Sequence, residues 1–215
     1  MSIAAKYFLE KTEINVNNII ISIFQSQTFD KYFDSMSRDE IELIKEIPYF
    51  INVWNSGYYL SVFFAKNYGK EKITGKKILE LGSGCGLTGI LLSLLGGNVV
   101  FSDYLSDSLS LCRENAKLNN ICEITAIQAD WNDFPEINDD IDMVIGADLL
   151  YEDKLLLPFF NTIERFLEKR IPVIISDPQR YNLNKFLQLI EYHGYKITLL
   201  SQSDDSIPIK IYQII

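Results

Sequence analysis

The sequence predicts an α/β fold in which helices cover both faces of a mostly parallel sheet, behind a helical N-terminal extension. From about Lys70 onward, short apolar runs alternate with helical segments, which is typical of parallel strands joined by crossover helices. The chain then ends in two β-rich runs, Lys196–Ser201 and Ile207–Ile214, joined by a polar loop. Because no helix fits between these runs, we expect them to pair as an antiparallel hairpin.

The N-terminal part, residues 1–70, is predicted to be a helical extension, and residues 71–215 form the core. The run Ser37–Glu40 matches a capping box for a helix that must end near Pro48. The chain has 215 residues, of which 47% are hydrophobic. This length and composition predict one structural domain overall, with a sizeable core.

The core begins with a strand, a glycine-rich turn and a helix. Lys77–Leu81 is predicted as the strand, and the helix Leu87–Leu95 is expected to end at Gly96 in a left-handed cap. Further strands are predicted at Asn98–Ser102, Glu123–Gln128, Ile141–Gly146 and Pro172–Ser176, and helices at Leu105–Asn119, Lys154–Lys169 and Leu183–His193. With the terminal hairpin, these strands make a sheet of seven.

The composition disfavours several classes of function. A net charge of -9 argues against nucleic acid and anionic membranes as partners, because binding phosphates requires clustered Lys and Arg. The three cysteines show no paired or metal-ligand spacing, so a reduced, cytoplasmic protein without a metal site is expected. The N-terminus lacks a basic stretch followed by an apolar one, and we expect no signal peptide.

The glycine-rich turn predicts a nucleotide-like cofactor. Gly82, Gly84 and Gly86 leave the backbone open to a ligand, and the following helix N-terminus favours a carboxylate or phosphate. An acid at the end of the second strand, Asp103, can bind the ribose hydroxyls of any adenosine cofactor. The alternative is a tight turn that binds nothing.

Four motifs, in this order and spacing, resemble class I S-adenosylmethionine-dependent methyltransferases, and more narrowly the methyltransferase-16 family, which contains many protein lysine methyltransferases. They are Val53–Gly57, Glu80–Gly86, Asp130–Trp131 and Asp148–Tyr151. The resemblance covers Phe50 to Ile215. It implies a Rossmann-like sheet of seven strands whose last two form a hairpin, as predicted from the tail.

The resemblance also implies a cofactor site for S-adenosylmethionine, with S-adenosylhomocysteine as product. Glu80 would orient the methionine amino group, Asp103 would bind the ribose, and Asp130 and Trp131 would hold the adenine. Trp54 would close the pocket from the N-terminal side, where residues 1–70 would act as a cofactor lid or substrate region. The remaining implied contacts are Gly82, Ser83, Gly84, Gly86 and Ala147. For both tryptophans, ordinary core packing is the alternative.

The catalytic candidates are Asp148 and Tyr151, which follow the fourth strand at the edge where ligands bind in open α/β sheets. A carboxylate can hold an acceptor ammonium and a tyrosine hydroxyl can orient it, so positioning would supply most of the acceleration. If the segment is helical, the two side chains share a face. Asp148 could also be a helix N-cap. Arg180 is a tentative substrate contact, for an acidic substrate or an active-site carboxylate, or else a solvated turn residue.

The function predicted from these residues is methylation of a lysine side chain of a protein. The first alternative is a small-molecule N- or O-methyltransferase of the same fold. An NAD-dependent oxidoreductase is less well supported, because its G-x-G-x-x-G motif would directly follow the strand, whereas Gly82 and Ser83 intervene here. A non-catalytic binding module of this fold is the last alternative.

Overall fold

The computed structural model describes residues 1–27, 48–137 and 140–215, so the capping box at Ser37–Glu40 lies outside the described residues. Its helices are α1 (Ile3–Lys6), α2 (Asn55–Asn67), α3 (Gly69–Ile73), α4 (Leu87–Leu94), α5 (Ser106–Leu118), α6 (Leu156–Leu167) and α7 (Tyr181–Tyr192). Its strands are β1 (Glu10–Val16), β2 (Ile19–Gln25), β3 (Lys77–Leu81), β4 (Asn98–Asp103), β5 (Thr125–Gln128), β6 (Met143–Ala147), β7 (Val173–Asp177), β8 (Ile197–Gln202) and β9 (Lys210–Ile214). Single 3₁₀ turns occur at Tyr49–Ile51, Trp131–Asp133 and Asp153–Leu155.

The main sheet has seven strands in the order β5-β4-β3-β6-β7-β9-β8. The first five are parallel, with Leu81 opposite Ser102 on one side and Gly146 on the other. Strand β9 runs antiparallel between β7 and β8, which confirms the predicted terminal hairpin. The order reverses between β3 and β6, and ligands bind beside such a reversal in open α/β sheets.

Both faces of this sheet are covered, as predicted. Ile78 belongs to a core that also contains residues of α2, α4 and α5, whereas its neighbour Leu79 belongs to the core formed with α6 and α7. Because successive side chains point to opposite faces, a strand buried on both sides reads as a continuous apolar run. None of the helices in the described ranges combines the length and apolar character that crossing a bilayer requires.

The prediction of a helical N-terminal extension is wrong for Glu10–Gln25, which form an antiparallel hairpin instead. Asn17 and Asn18 connect the two strands, with φ values of 50° and 68°. A two-residue loop with both φ values positive matches the right-handed twist of the strands, and asparagine tolerates this conformation. Strand β2 is rich in isoleucine, a β-branched residue that favours strands. This composition, the pairing with β1 and the turn at Asn17 and Asn18 together favour a hairpin over a helix.

Two asparagines of α5 fix the hairpin to the core. The amide of Asn115 accepts from the backbone N–H of Phe24 at 2.6 Å, and that of Asn119 accepts from the N–H of Ser22 at 2.9 Å. Each amide also donates to the carbonyl of the same strand residue. Side chains four residues apart on a helix thus take the place of a neighbouring strand and satisfy the edge of β2.

Candidate active site

Four acidic residues mark the carboxyl edge of the parallel strands. Glu80 lies in β3, Asp103 and Asp177 end β4 and β7, and Asp148 directly follows β6. Because these four strands are neighbours, their carboxylates lie along one edge. The structure therefore brings together three of the four acids for which the sequence predicted cofactor or catalytic roles, and it adds Asp177.

The glycine-rich turn at the end of β3 requires glycine for backbone and packing reasons. Gly82, Gly84 and Gly86 have φ values of 62°, 55° and 83°, in the left-handed region that favours glycine. A β-carbon on Gly82 would lie 2.5 Å from Cδ2 of Leu149. A β-carbon on Gly86 would lie 3.0 Å from Sγ of Cys112, so Gly86 faces the protein interior. Its cofactor role stays a prediction.

Glu80 is a buried carboxyl beside this turn, with one oxygen unused. Its Oε1 accepts from the backbone N–H of Gly89 at 3.2 Å, whereas its Oε2 has no partner within the described residues. Burial raises the pKa of Glu80 to about 8. An unpaired carboxyl oxygen in a buried site is costly unless a ligand satisfies it. A cationic group such as an amino acid's ammonium would supply such a partner.

A small cavity of about 50 Å³ lies against the turn. Six predicted cofactor residues line it: Trp54, Glu80, Gly82, Ser83, Gly84 and Ala147. A second, open cavity of about 810 Å³ shares Asn52, Val53 and Trp54 with it. The fit of a methionine-like group therefore rests on the glycine turn and the unused oxygen of Glu80, with the remainder of an adenosyl compound outside the small cavity.

Asp103 and Ser83 connect the turn to β4. Asp103 accepts from the backbone N–H groups of Gly84 and Leu105, each at 3.0 Å, and burial raises its pKa. The hydroxyl of Ser83 accepts from the N–H of Ser102 at 3.0 Å, and its own N–H donates to the carbonyl of that residue. The side chain and N–H of Ser83 are thus engaged inside the protein.

Asp130 and Trp131 lie farther along the same edge and line neither of these two cavities. Asp130 is exposed and caps a 3₁₀ turn, accepting from the backbone N–H of Asn132 at 2.9 Å. The ring of Trp131 packs 4.9 Å from that of Phe159, and its Cζ2 lies 3.8 Å from the position of a β-carbon on Gly82. Core packing of Trp131 is thus present, and its edge still faces the turn.

Three aromatic side chains border the site on the N-terminal side. Trp54 is 38% exposed, and its indole N–H donates to the carbonyl of Tyr49 at 2.9 Å. The ring of Tyr49 lies 6.1 Å from Trp54 and 5.7 Å from Tyr151. Burial, followed by the charge of Asp103, raises the pKa of Tyr151 to about 12, so its hydroxyl keeps its proton at neutral pH.

Asp148 differs from both conformations considered for it. Its φ is 59°, and its backbone N–H donates to the carbonyl of Ser176 at 2.9 Å. The next helical turn begins at Asp153 with Glu152 as its N-cap, so the helix-cap alternative for Asp148 is wrong, and no helix places it on one face with Tyr151. Its carboxylate instead accepts from Nε of Arg180, so Arg180 contacts a carboxylate and is not a free turn residue. The catalytic role of Asp148 stays a prediction.

Several residues of this region were not among the predicted site residues. Asp177 is buried and accepts from the backbone N–H of Arg180 at 2.7 Å, and burial raises its pKa to about 6. Ser56 is 1% exposed, and its hydroxyl has no partner within the described residues. The acid after β7 was a usable signal for Asp177. Five lining residues of the larger cavity come from distant segments and had no such signal: Thr12, Gln25, Ser26, Gln27 and Asn52. Asn55 and Ser56, which also line it, belong to the motif Val53–Gly57.

Comparison with known proteins places this site in a known family. A family model described as lysine methyltransferase matches residues 48–193, which include every predicted site residue. The histone-arginine methyltransferase METTL23 of Xenopus laevis is 32% identical over 146 residues, which are 63% of this chain and 61% of the relative. EEF1A lysine methyltransferase 3 of Xenopus tropicalis is 30% identical over 170 residues, which are 75% of this chain and 73% of the relative. The chain therefore spans less than two thirds of the first relative and almost three quarters of the second.

A solved structure shares the architecture. Magnesium protoporphyrin IX methyltransferase (ChlM) from Synechocystis PCC 6803 with bound SAM matches with a TM-score of 0.57 at 15% identity, over 86% of this chain and 93% of that one. At this identity the likeness shows the fold alone, which is the predicted Rossmann-like sheet with its terminal hairpin.

Proposed function

This chain belongs to the lysine methyltransferase family, and we propose that it transfers the methyl group of S-adenosylmethionine to a lysine side chain of a protein. The observation that carries the proposal is the pairing of two features at one edge of the sheet. One is the glycine turn with the unused buried oxygen of Glu80, and the other is the carboxylate of Asp148 at the larger cavity.

On the cofactor side, the chain offers a set of groups that suits an amino acid joined to a nucleoside. Glu80 would receive the methionine ammonium, the N-terminus of α4 would face its carboxylate, and Asp103 would accept from the ribose hydroxyls. When bound, the cofactor supplies a methyl group on a positively charged sulfur. Trp54 and Trp131 would border it, and Ala147 is small enough to leave it room above β6.

On the acceptor side, the larger cavity would admit the substrate side chain. Asp148 would hold the incoming ammonium, and the hydroxyl of Tyr151, protonated at neutral pH, would orient the nitrogen. The chain's residues thus act by binding and aiming a nucleophile, which is where most of the acceleration of such a transfer comes from. Residues 1–70 would serve as a lid and substrate region, because Gln25 and Trp54 line this cavity.

We extend the proposal to the partner and its location. A net charge of -9 favours a protein acceptor over nucleic acid or an anionic membrane. Three free cysteines, two of them buried, suit the reducing cytoplasm. A small-molecule acceptor is the second candidate, because the larger cavity is open and holds about 810 Å³. Because the Xenopus laevis relative is named a histone-arginine methyltransferase, an arginine side chain is the alternative acceptor.

The first test is binding. Isothermal titration with S-adenosylmethionine, S-adenosylhomocysteine and NAD should give micromolar affinity for the two adenosyl compounds and none for NAD. Transfer of labelled methyl to host-cell lysate should then mark protein, and acid hydrolysis of the labelled band should release methyllysine. Methylarginine would change the acceptor, label in small molecules alone would establish the second candidate, and binding of NAD alone would overturn the proposal.

The second test is the variant Asp148→Asn, with Asp153→Asn as its control. Asp153 is an exposed carboxylate five residues farther on, so its loss makes the same change of charge outside the cavity. We expect Asp148→Asn to lower transfer by about a hundredfold or more, because the acceptor loses its anchor, while cofactor affinity stays within a few-fold. Equal loss of transfer and cofactor affinity would make Asp148 a cofactor ligand.

A further inference from the structure

The larger cavity contains a cation that is already placed on the proposed acceptor carboxylate. Arg180 lies three residues beyond the end of β7, and Asp148 directly follows β6, so the pair bridges neighbouring parallel strands. Nε of Arg180 donates to Oδ1 of Asp148. The side chain of Asp148 is 9% exposed and that of Arg180 is 36% exposed. Both residues line the cavity.

Hydrogen bonds hold Arg180 both at its backbone and at its guanidinium group. The backbone N–H of Arg180 donates to Oδ1 of Asp177, and Asp148 holds its head group. Within the described residues, the titratable groups that face it are Asp148, Asp177 and Tyr49, and Tyr151 adjoins Asp148 and Tyr49. Burial raises the pKa of Asp177 to about 6, so above pH 7 this carboxylate is ionised beside the charged guanidinium.

We propose that Arg180 is a positioning residue that helps the acceptor lysine to lose its proton while Asp148 holds it. This inference rests on the proposed function. A lysine ammonium has no free electron pair, so it cannot accept a methyl group until a proton leaves for solvent through the open cavity. The nitrogen's pair then forms the bond to the methyl carbon as the carbon–sulfur bond breaks and its electrons stay on sulfur. The resulting methylammonium carries the positive charge.

The physical reason is the balance of charge around the amine. Asp148 alone would bind the ammonium but would also stabilise its protonated, unreactive form. A guanidinium on the same carboxylate opposes that effect, because a like charge nearby disfavours the protonated amine. Arginine suits this role, since it stays charged at every working pH, whereas a lysine in the same place could itself lose its proton or be methylated.

The test compares Arg180→Gln and Arg180→Lys with a control, Arg170→Gln. Arg170 is exposed and precedes β7, so it lies at the opposite edge of the sheet and its replacement makes the same change of net charge. The acceptor is the protein band that the wild-type chain labels in host-cell lysate. Rates of labelling are measured from pH 7 to pH 10 over a tenfold range of lysate concentration, which separates kcat from KM. Melting temperature and cofactor affinity report on folding.

We expect Arg180→Gln to move the pH of half-maximal kcat upward by about 1–2 units. Its kcat should therefore fall about tenfold or more at pH 7.5 and recover to within a few-fold near pH 10, with KM unchanged or lower. Arg180→Lys should keep a profile near that of wild type below pH 9, and Arg170→Gln should match wild type throughout.

Several outcomes would overturn the inference and leave the proposed function standing. A raised KM without a shift in the profile would make Arg180 an anchor for an acidic group of the substrate. An equal loss of kcat at every pH would give Arg180 a purely structural role. If Arg180→Lys and Arg180→Gln shifted the pH of half-maximal kcat equally, the charge of Arg180 would not be the cause. If the wild-type chain labels no protein, the proposed function fails, and this inference fails with it.

Discussion

Replacing Glu80 with glutamine tests the cofactor site through a buried charge. Glutamine keeps an oxygen for the N–H of Gly89 but cannot ionise. In the folded chain the pKa of Glu80 is about 8, against an ordinary value of 4.5. Between these values the folded protein keeps the proton that the unfolded chain has lost. Unfolding therefore releases a proton, and the stability of the free protein falls as pH rises through this window.

The size of the effect follows from the two pKa values. The loss of stability is about 1.4 kcal/mol for each pH unit within the window, or about 2 kcal/mol between pH 6 and pH 8. For a chain of this length, that corresponds to a fall in melting temperature of about 4–8 °C. We expect Glu80→Gln to abolish this component, so its melting temperature should decline less over the same range than that of wild type. Glu123→Gln, at an exposed position, should follow wild type.

Cofactor binding should release the proton that Glu80 holds in the free folded protein. If the methionine ammonium pairs with Glu80, the carboxyl ionises on binding, and most of a proton should be released at pH 7. Titrations in buffers of different ionisation enthalpy measure this number. Glu80→Gln should release no such proton and should bind S-adenosylmethionine about 10- to 100-fold more weakly. Equal proton release by both proteins, or equal melting slopes, would refute the role assigned to Glu80.

Two further predictions concern the turn and the hairpin. Gly82→Ala should lower stability by about 1–3 kcal/mol and weaken cofactor binding, because its β-carbon would lie 2.5 Å from Leu149. The control is Gly75→Ala, at a position with a similar φ and open space around it. This control should lower stability by only about 1–2 kcal/mol and leave cofactor binding intact. Equal binding by both variants would remove the turn from the cofactor site. Asn115→Ala should leave the N–H of Phe24 unpaired, lower stability by about 1–3 kcal/mol and speed hydrogen exchange in β2. Unchanged exchange in β2 would show that the Asn115 amide does not hold the hairpin.

The core of the fold could be predicted because local signals agree there with the tertiary structure. Lys77–Leu81 is a strand both in the sequence-based prediction and in the structure. A short apolar run that is followed by a glycine turn is typical of a strand buried on both faces. Strand boundaries differ by up to three residues: Lys210 begins β9 instead of Ile207, and Thr125 begins β5 instead of Glu123. The antiparallel tail followed from the absence of room for a crossover helix.

The hairpin of β1 and β2 was missed because its strands depend on distant partners. Alternation in Glu10–Val16 is weak, and the edge of β2 is satisfied by asparagines almost a hundred residues away. The turn at Asn17–Asn18 was a usable local signal. In the same way, the contact of Asp148 with Arg180 joins two segments that are 32 residues apart. Asp148 there has a left-handed backbone, and the backbone N–H of Arg180 donates to Asp177.

The distribution of unpaired buried atoms connects the stability of this fold to its proposed chemistry. Among the described residues, five buried side-chain oxygens have no partner, and they belong to Ser56, Glu80, Ser102, Asp177 and Asn182. All five lie at the carboxyl edge of the sheet or in the helix starts beside it, and none lies at the amino edge. Each such atom lowers stability by about 1–3 kcal/mol, which a fold tolerates mainly where a ligand later supplies the missing partner. Two of the five belong to acids whose pKa is raised by burial, so the free protein avoids part of the penalty by holding a proton on Glu80 at neutral pH and on Asp177 below about pH 6. A ligand with a positive charge would displace those protons, which ties binding at this edge to pH.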